Sequence, residues 1–423
     1  MSISASSYSG TFKLCLFIVV LVAFSSYCGF VITREDSQFS NHLPKLTSTN
    51  VILEKLDSLR KDFLKQRTNV AGQFKNLGSK LSELVLNKNT KPENQHIKAQ
   101  DEPWRKSTKT GLTLFTSWVD VPEKDLVHGN VVRMWRKWKP LIKPLFFYSS
   151  ASTGKRLEKE GWLVQPVSKT GCGVTEMPTI KDMFLDAMKN HESVLYGYAN
   201  GDITFDDGMP KAIDYVVNMD VVREKPVLVL VRRTNVDFSN GPELDANSDI
   251  TEMYNEGKAL KDGSSDGFFT NKLFPWKYLP DIVIGRIGIG MWLASYARAM
   301  NVTVIDITKT VKAIHMTTKS GNSESHFKKN GRCNHVIYGR LKLSPTSWGC
   351  GFITCATIDI TFDKQGQTTM RRKNPKSMNP KCGNCSMDLT QILPKSLGIT
   401  DRIYFGQNIE PKQVVNKRPK SPK

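Results

Sequence analysis

The stretch with the most evident chemistry is Tyr198-Ala-Asn-Gly-Asp-Ile-Thr-Phe205, an apolar run that ends in Asn200-Gly201-Asp202. A carboxylate just beyond a strand end can hold a hard divalent cation, Mn2+ or Mg2+, against a diphosphate. The same three residues also make an ordinary turn, because Asn, Gly and Asp each tolerate tight backbone geometry. Asp206-Asp207-Gly208, which follows directly, reads as such a turn. The cysteines are the second reactive group. Cys15 and Cys28 lie in an apolar N-terminal stretch, which leaves Cys172, Cys333, Cys350, Cys355, Cys382 and Cys385, an even set. Cys350-x4-Cys355 with Cys382-x2-Cys385 has zinc-ribbon spacing, whereas an oxidising compartment would turn the same residues into disulfides.

These residues need a scaffold, and the hydrophobic pattern supplies one. Leu112-Thr-Leu-Phe-Thr-Ser-Trp118 is a short apolar run suited to a buried strand. In Val131-Val-Arg-Met-Trp-Arg-Lys-Trp138, Val132, Trp135 and Trp138 can share a helix face. Pro144-Leu-Phe-Phe-Tyr-Ser149, Trp162-Leu-Val-Gln-Pro-Val167 and Val194-Leu-Tyr-Gly-Tyr198 read as further strands, with a helix over 179–189 between the last two. Residues 227–231 and 302–307 continue the pattern. Strand alternating with helix predicts an α/β fold with a mainly parallel sheet and its active site at the strands' carboxyl ends.

The flanks differ from this core. Residues 14–33, LCLFIVVLVAFSSYCGFVIT, carry no charge and approach the roughly 20 apolar residues that cross a bilayer. The apolar run continues past any clean small-x-small site, which favours a retained signal anchor; a cleaved signal peptide and a secreted product are the alternative. Leu56, Phe63, Val70, Leu77 and Leu84 recur every seventh residue within a stem at 34–108, compatible with a self-pairing helix or a solvated stalk. Among 423 residues, 60 Lys and Arg face 40 Asp and Glu, a net charge of +20 that favours anionic partners. Entry into the secretory lumen would exclude nucleic acid from these and leave acidic lipid or anionic glycan. Asn301-Val-Thr303 and Asn384-Cys-Ser386 are glycosylation sequons consistent with that route.

Several segments in order resemble a group of glycosyltransferase-like proteins from animals and plants with the nucleotide-diphospho-sugar transferase (GT-A) fold. They are Leu114-Phe-Thr-Ser117, the run from Gly161 to Thr170, Gly197-Tyr-Ala-Asn-Gly-Asp-Ile-Thr-Phe205 and Val231-Arg-Arg-Thr-Asn-Val-Asp-Phe238. Leu279-Pro-Asp281, Ile284-Gly-Arg286 with Trp292-Leu293, and Val304-Ile-Asp-Ile-Thr308 with Ala313-Ile-His315 complete the match, over about residues 110–320. The resemblance implies that Asn200 and Asp202 form the fold's metal-binding acidic motif and that His315 supplies a further metal ligand, for which a neutral imidazole suits Mn2+. It places Thr116 and Ser117 at the nucleotide. Arg232 and Arg233 would clamp phosphate or orient the Asp202 loop through bidentate hydrogen bonds, or simply form surface ion pairs.

One departure bears on activity. The group commonly reads Gly-Arg-x-x-Trp-Asp-Asn-Trp where this chain reads Gly285-Arg-Ile-Gly-Ile-Gly-Met-Trp292, so Gly290 stands where a general base is expected. Asp281 and Glu176 are the candidate substitutes, and Gly290→Asp is expected to restore transfer.

The implied organisation is a tail at 1–13, an anchor at 14–33, a stem at 34–108, a GT-A-like domain at 109–325, a cysteine-containing region at 326–410 and a basic tail at 411–423. The implied function is metal-assisted transfer of a sugar from a nucleotide-diphosphate donor to a glycan or glycoprotein acceptor by a single-pass type II protein of the Golgi or ER lumen, with a homodimer through the stem. The alternatives are a catalytically degenerate binding protein and a stalked scaffold. If residues 14–33 are an anchor, the full-length protein stays with membranes after carbonate extraction. A soluble, shortened lumenal product would point instead to signal-peptide cleavage.

Overall fold

The computed structural model describes residues 110–173, 177–260, 262–319, 330–374 and 378–406. The anchor, stem and basic tail, and with them Glu176, fall outside the described residues.

The first half of the fold alternates as the pattern demands: β1 (Leu112–Thr116), α1 (Asp125–Arg136), β2 (Ile142–Tyr148), α2 (Ala151–Lys159), β3 (Leu163–Pro166), α3 (Ile180–Asn190) and β4 (Leu195–Ala199). After β5 (Ile203–Phe205), α4 (Gly208–Val217) and α5 (Asp220–Glu224), the long strand β6 (Val227–Asp237) begins the second half. It continues through α6 (Thr251–Glu256), β7 (Lys258–Ala259), β8 (Ser265–Thr270), α7 (Ile289–Ala299), β9 (Thr303–Asp306), β10 (Ala313–Thr317) and α8 (Cys333–Arg340). Two hairpins close the chain, β11 (Ile358–Phe362) with β12 (Thr368–Arg372), and β13 (Cys385–Met387) with β14 (Ile403–Phe405).

The main sheet runs β12-β11-β9-β6-β8-β4-β1-β2-β3. Neighbours from β4 through β1 and β2 to β3 are parallel, as are β6, β9 and β11, while β8 is antiparallel to both β4 and β6. The fold is therefore α/β with a mainly parallel sheet, broken once in its middle. Period-two alternation gives the sheet two apolar faces. Leu112 and Leu114 of β1 and Val227, Val229 and Val231 of β6 join one core, packed on by α1 through Val131 and Trp135 and by α4 through Ile213 and Val216. Phe115, Leu228 and Leu230 face the other, covered by α3 through Phe184 and by α7 through Trp292 and Tyr296. Each such side chain contributes roughly 1.5–3 kcal/mol by burial. Helices thus lie on both faces.

The cysteine-containing stretch is not set apart. Its strand β11 pairs in parallel with β9 and extends the main sheet. The six cysteines form three disulfides, Cys172–Cys333, Cys350–Cys385 and Cys355–Cys382, with Cα separations of 5.4–5.9 Å, so the zinc-ribbon alternative has no free thiolates. Among the described residues no helix is long and apolar enough to cross a membrane. Helix α1 begins at Asp125, earlier than its apolar pattern indicates, and ends before Trp138, which is nevertheless buried.

Trp292 joins α7 to α8. Its ring stacks on Tyr338 at 4.8 Å and on Tyr296 at 5.3 Å, and Nε1 donates to the carbonyl of Leu343 at 2.9 Å. Trp292→Ala is expected to lower stability by about 3–5 kcal/mol in urea unfolding. A loss below about 1 kcal/mol would show that this layer repacks without it.

Candidate active site

β4 ends against β8, and the chain turns at Asn200-Gly201-Asp202 before β5. The Asn200 amide donates to the Asp266 carbonyl at 3.3 Å, and Met316 donates to the Asp202 carbonyl at 2.9 Å, so the turn is tied on both sides. Gly201 is required by contact: a Cβ there would lie 2.5 Å from the ring of Trp118. The turn serves as more than a reversal, since it aims Asp202 into a cleft of about 1240 Å³.

β10 brings the second residue. It pairs antiparallel with β5, setting His315 opposite Ile203, and in parallel with the distal part of β6, setting His315 opposite Asn235. His315 Nε2 lies 3.2 Å from Asp202 Oδ2, and its Nδ1 is 3.2 Å from Asn235 Oδ1. Arg233 Nη1 donates to the same Asn235 oxygen at 3.0 Å and pairs through Nε with Asp266. Lys124, from the turn before α1, lies 3.6 Å from Asp202 Oδ2. The other carboxylate oxygen, Oδ1, is buried and has no hydrogen-bond partner among the described residues. Burial alone would raise the Asp202 pKa, but the electrostatic pull and hydrogen bond of His315, then Lys124 and Arg233, hold the carboxyl well below its usual range. Tyr198 sits behind the turn, its hydroxyl donating to Asn200 Oδ1 at 2.8 Å; burial, then Asp202 and Asp266, push its pKa well up.

Of the residues singled out from sequence, Ser117, Asn200, Asp202, Arg233 and His315 line this cleft together. The others do not. Thr116 ends β1 but is fully buried and does not line the cleft. Arg232 lies across β6 from its neighbour, in a second pocket, with Nη1 3.3 Å from Asp262. Asp281 is held between Lys169 at 2.7 Å and Lys181 at 2.6 Å, away from the cleft lining. Gly290 does line the cleft, in the first turn of α7, but a Cβ there would meet the Ser265 carbonyl oxygen at 2.2 Å. The expectation that Gly290→Asp restores a base is therefore corrected: backbone occupies the space, and the substitution would displace α7 or β8 before placing any carboxylate.

Four lining residues had no signal in the sequence reading. Trp118 and His128 stack at 4.4 Å with an interplanar angle of 17°, and Lys124 and Asp266 reach the cleft from a turn and from β8. Only the fold gathers them. Among the described residues no three His, Cys, Asp or Glu side chains converge as a preformed metal site.

No family model and no curated protein matches this chain. Among solved structures, it is similar to a mycobacterial protein at 13% identity and a TM-score of 0.32, over 63% of this chain and 84% of that one. It is also similar to glucosyl-3-phosphoglycerate synthase from Mycobacterium tuberculosis in complex with Mg2+ and uridine diphosphate, at 9% identity and a TM-score of 0.32, over 63% and 88% of the two chains. The same synthase with Mn2+, uridine diphosphate and glucosyl-3-phosphoglycerate gives 9% identity and 0.31, over the same shares.

His128 offers a test of the site's electrostatics. Burial, opposed by Asp202 and Asp120 and assisted by Lys124 and Arg156, pushes its pKa down from 6.5 to about 4. The unfolded chain binds a proton that the folded chain refuses in this window. The associated stability is fully present above the unfolded value and is lost as pH falls toward about 4. Urea unfolding at about pH 7 and about pH 4.5 should show a loss about 2 kcal/mol larger in the wild type than in His128→Phe, which keeps the stack with Trp118. Equal losses in the two proteins would place the acid sensitivity elsewhere.

Proposed function

We propose that this chain is a nucleotide-sugar-dependent glycosyltransferase of the GT-A type, with the diphosphate of its donor held at Asp202 and His315. The observation that carries the reading is the buried, partnerless Oδ1 of an ionised Asp202 at a strand's carboxyl end, beside an imidazole, inside a cleft large enough for a nucleotide and a sugar. That oxygen and His315 suit a Mn2+ or Mg2+ ion. Such ions are commonly held by one or two protein ligands, with substrate phosphate and water completing the shell. When bound, the ion would neutralise charge developing on the leaving diphosphate.

The chain's own residues do the rest. Lys124 and Arg233 add positive charge next to the same place, which favours a polyanion and weakens with salt. Asn235 fixes the imidazole ring and the Arg233 guanidinium through one shared oxygen, so the two are positioned together. Trp118 offers an aromatic edge above Gly201 for the donor's planar or sugar parts. We further propose that the domain resides in the secretory lumen behind an N-terminal anchor, supported by its three disulfides.

A second reading, donor binding without turnover, is favoured by one observation: the position where a base is expected has no room for a side chain, and Asp281 is locked by two lysines. Among the described residues, turnover would then rest on Asp266, the other carboxylate lining the cleft, which is paired with Arg233.

A panel of nucleoside diphosphates and their sugars, read by thermal shift with and without Mn2+, tests the reading. One nucleotide should stabilise the protein by about 2–3 kcal/mol at about a hundred times its Kd, only with metal. Asp202→Asn should abolish that shift, while Asp206→Asn should keep it, because Asp206 Oδ1 only accepts backbone N–H bonds from Gly208 and Lys312 at 3.1 and 3.0 Å. Equal effects of the two substitutions, or a shift indifferent to metal, would remove Asp202 from the proposed role. Donor hydrolysis or transfer, lowered in Asp266→Asn, separates the enzyme from the binding protein.

A further inference from the structure

On the far side of β6 from the cleft, Arg232 enters a separate pocket of about 540 Å³, walled by the ends of β6 and β9 and by the hairpin of β11 and β12. Its floor is Asp359, 1% exposed, on which three cations converge: Lys309 at 2.7 Å, Arg371 at 2.8 Å and Lys373 at 2.7 Å. Asp306 lies 3.8 Å from Lys373. Counting Asp262 behind Arg232, four cationic side chains meet three carboxylates, while Arg372, opposite Ile358, alternates to the other side of β12. Burial raises the Asp359 pKa less than its three partners lower it, and it stands at about 2.

A carboxylate can accept several hydrogen bonds, but its single negative charge neutralises only one of the three cations that converge on Asp359. Here the cations around Asp359 repel one another at close range, and the excess charge sits inside a concavity, where the field is focused. Lys309 and Arg371 keep 49% and 62% of their side chains exposed, so their donor groups reach the opening as well as the carboxylate below. Guanidinium groups bind tetrahedral oxyanions through paired N–H donors, and the lysines add point charge. The volume exceeds what one such ion fills, leaving room for the group that carries it.

We infer that this pocket is an anion-binding site, separate from the cleft, for a phosphate or sulfate monoester on a larger molecule, with Lys309 and Arg371 as its principal contacts. The site does not depend on the transferase reading, and it can hold whether or not the cleft binds a nucleotide.

The test is calorimetric titration of the full-length protein in detergent with four probes: inorganic phosphate, inorganic sulfate, a hexose phosphate and a sulfated disaccharide. At least one ester should bind saturably, one per chain, and more tightly than the bare ion of the same type. Preference for the phosphate or the sulfate ester then names the source. Lys309→Gln and Arg371→Gln should each weaken binding by roughly tenfold or more, the effect of losing a charge-assisted contact. Lys309 lies outside the hairpin, so its variant keeps the test valid if Arg371→Gln loosens it. Asp202→Asn should leave the affinity unchanged. Absence of saturable binding by all four probes would overturn the inference. So would an equal loss in Lys189→Gln, on the exposed end of α3, or a loss in Asp202→Asn, which would move the site to the cleft.

Discussion

The period of two along β6 is the constraint on which the rest of the molecule depends. Its first five residues send valines to one core and leucines to the other, which fixes the two helix layers on opposite faces of the sheet. The register then shifts between Val231 and Arg232 against β8, and the strand runs on past the main sheet to pair with β10. Two adjacent arginines thereby part company, one entering each pocket. A slip of one residue along this strand would send the valines into the leucines' core and exchange the two guanidinium groups, so core and sites share a single register.

That strand also explains why the cleft is charged as it is. Asn235, two residues beyond Arg233 and on its side of the strand, carries the oxygen that orients both the arginine and His315. His315 in turn holds Asp202 ionised against its burial. A buried carboxylate that keeps its charge and has one oxygen without a partner among the described residues represents stability given up for a site's readiness. Asp359 shows the opposite excess, with more cations than its charge requires. In the proposed readings, one centre takes a cation and the other an anion, and a single strand separates them.

Much of the scaffold was legible from the sequence because buried parallel strands are written as short apolar runs, and helices between them as apolar residues at helical spacing. Leu112–Thr116, Leu195–Ala199 and the start of β6 fall where those runs lie. The Asn-Gly-Asp turn was legible for the same reason: short polar residues directly after an apolar run mark a strand's end, and there a carboxylate has access to a ligand. Disulfide formation by the cysteines followed from their even number, though their pairing did not.

What only the tertiary structure decided is which distant residues meet. The antiparallel insertion of β8 between β4 and β6 brings Asp266 to the cleft, and no local pattern in Ser265–Thr270 announces its direction. Lys124 meets Asp202 and His128 lines the same cleft, both from a segment far earlier in the chain, and Arg232 and Arg233 separate because a strand's neighbours point oppositely. Gly290 is the sharpest instance. In sequence it marks a missing carboxylate, whereas in the fold a carbonyl oxygen of Ser265 already fills the place where any side chain would begin. Sequence determines which chemistry the residues can do and which segments must be buried, because both are set by side chains within a few positions of one another; the meeting of residues far apart in the chain is set by strand order and register, which no short stretch of sequence encodes.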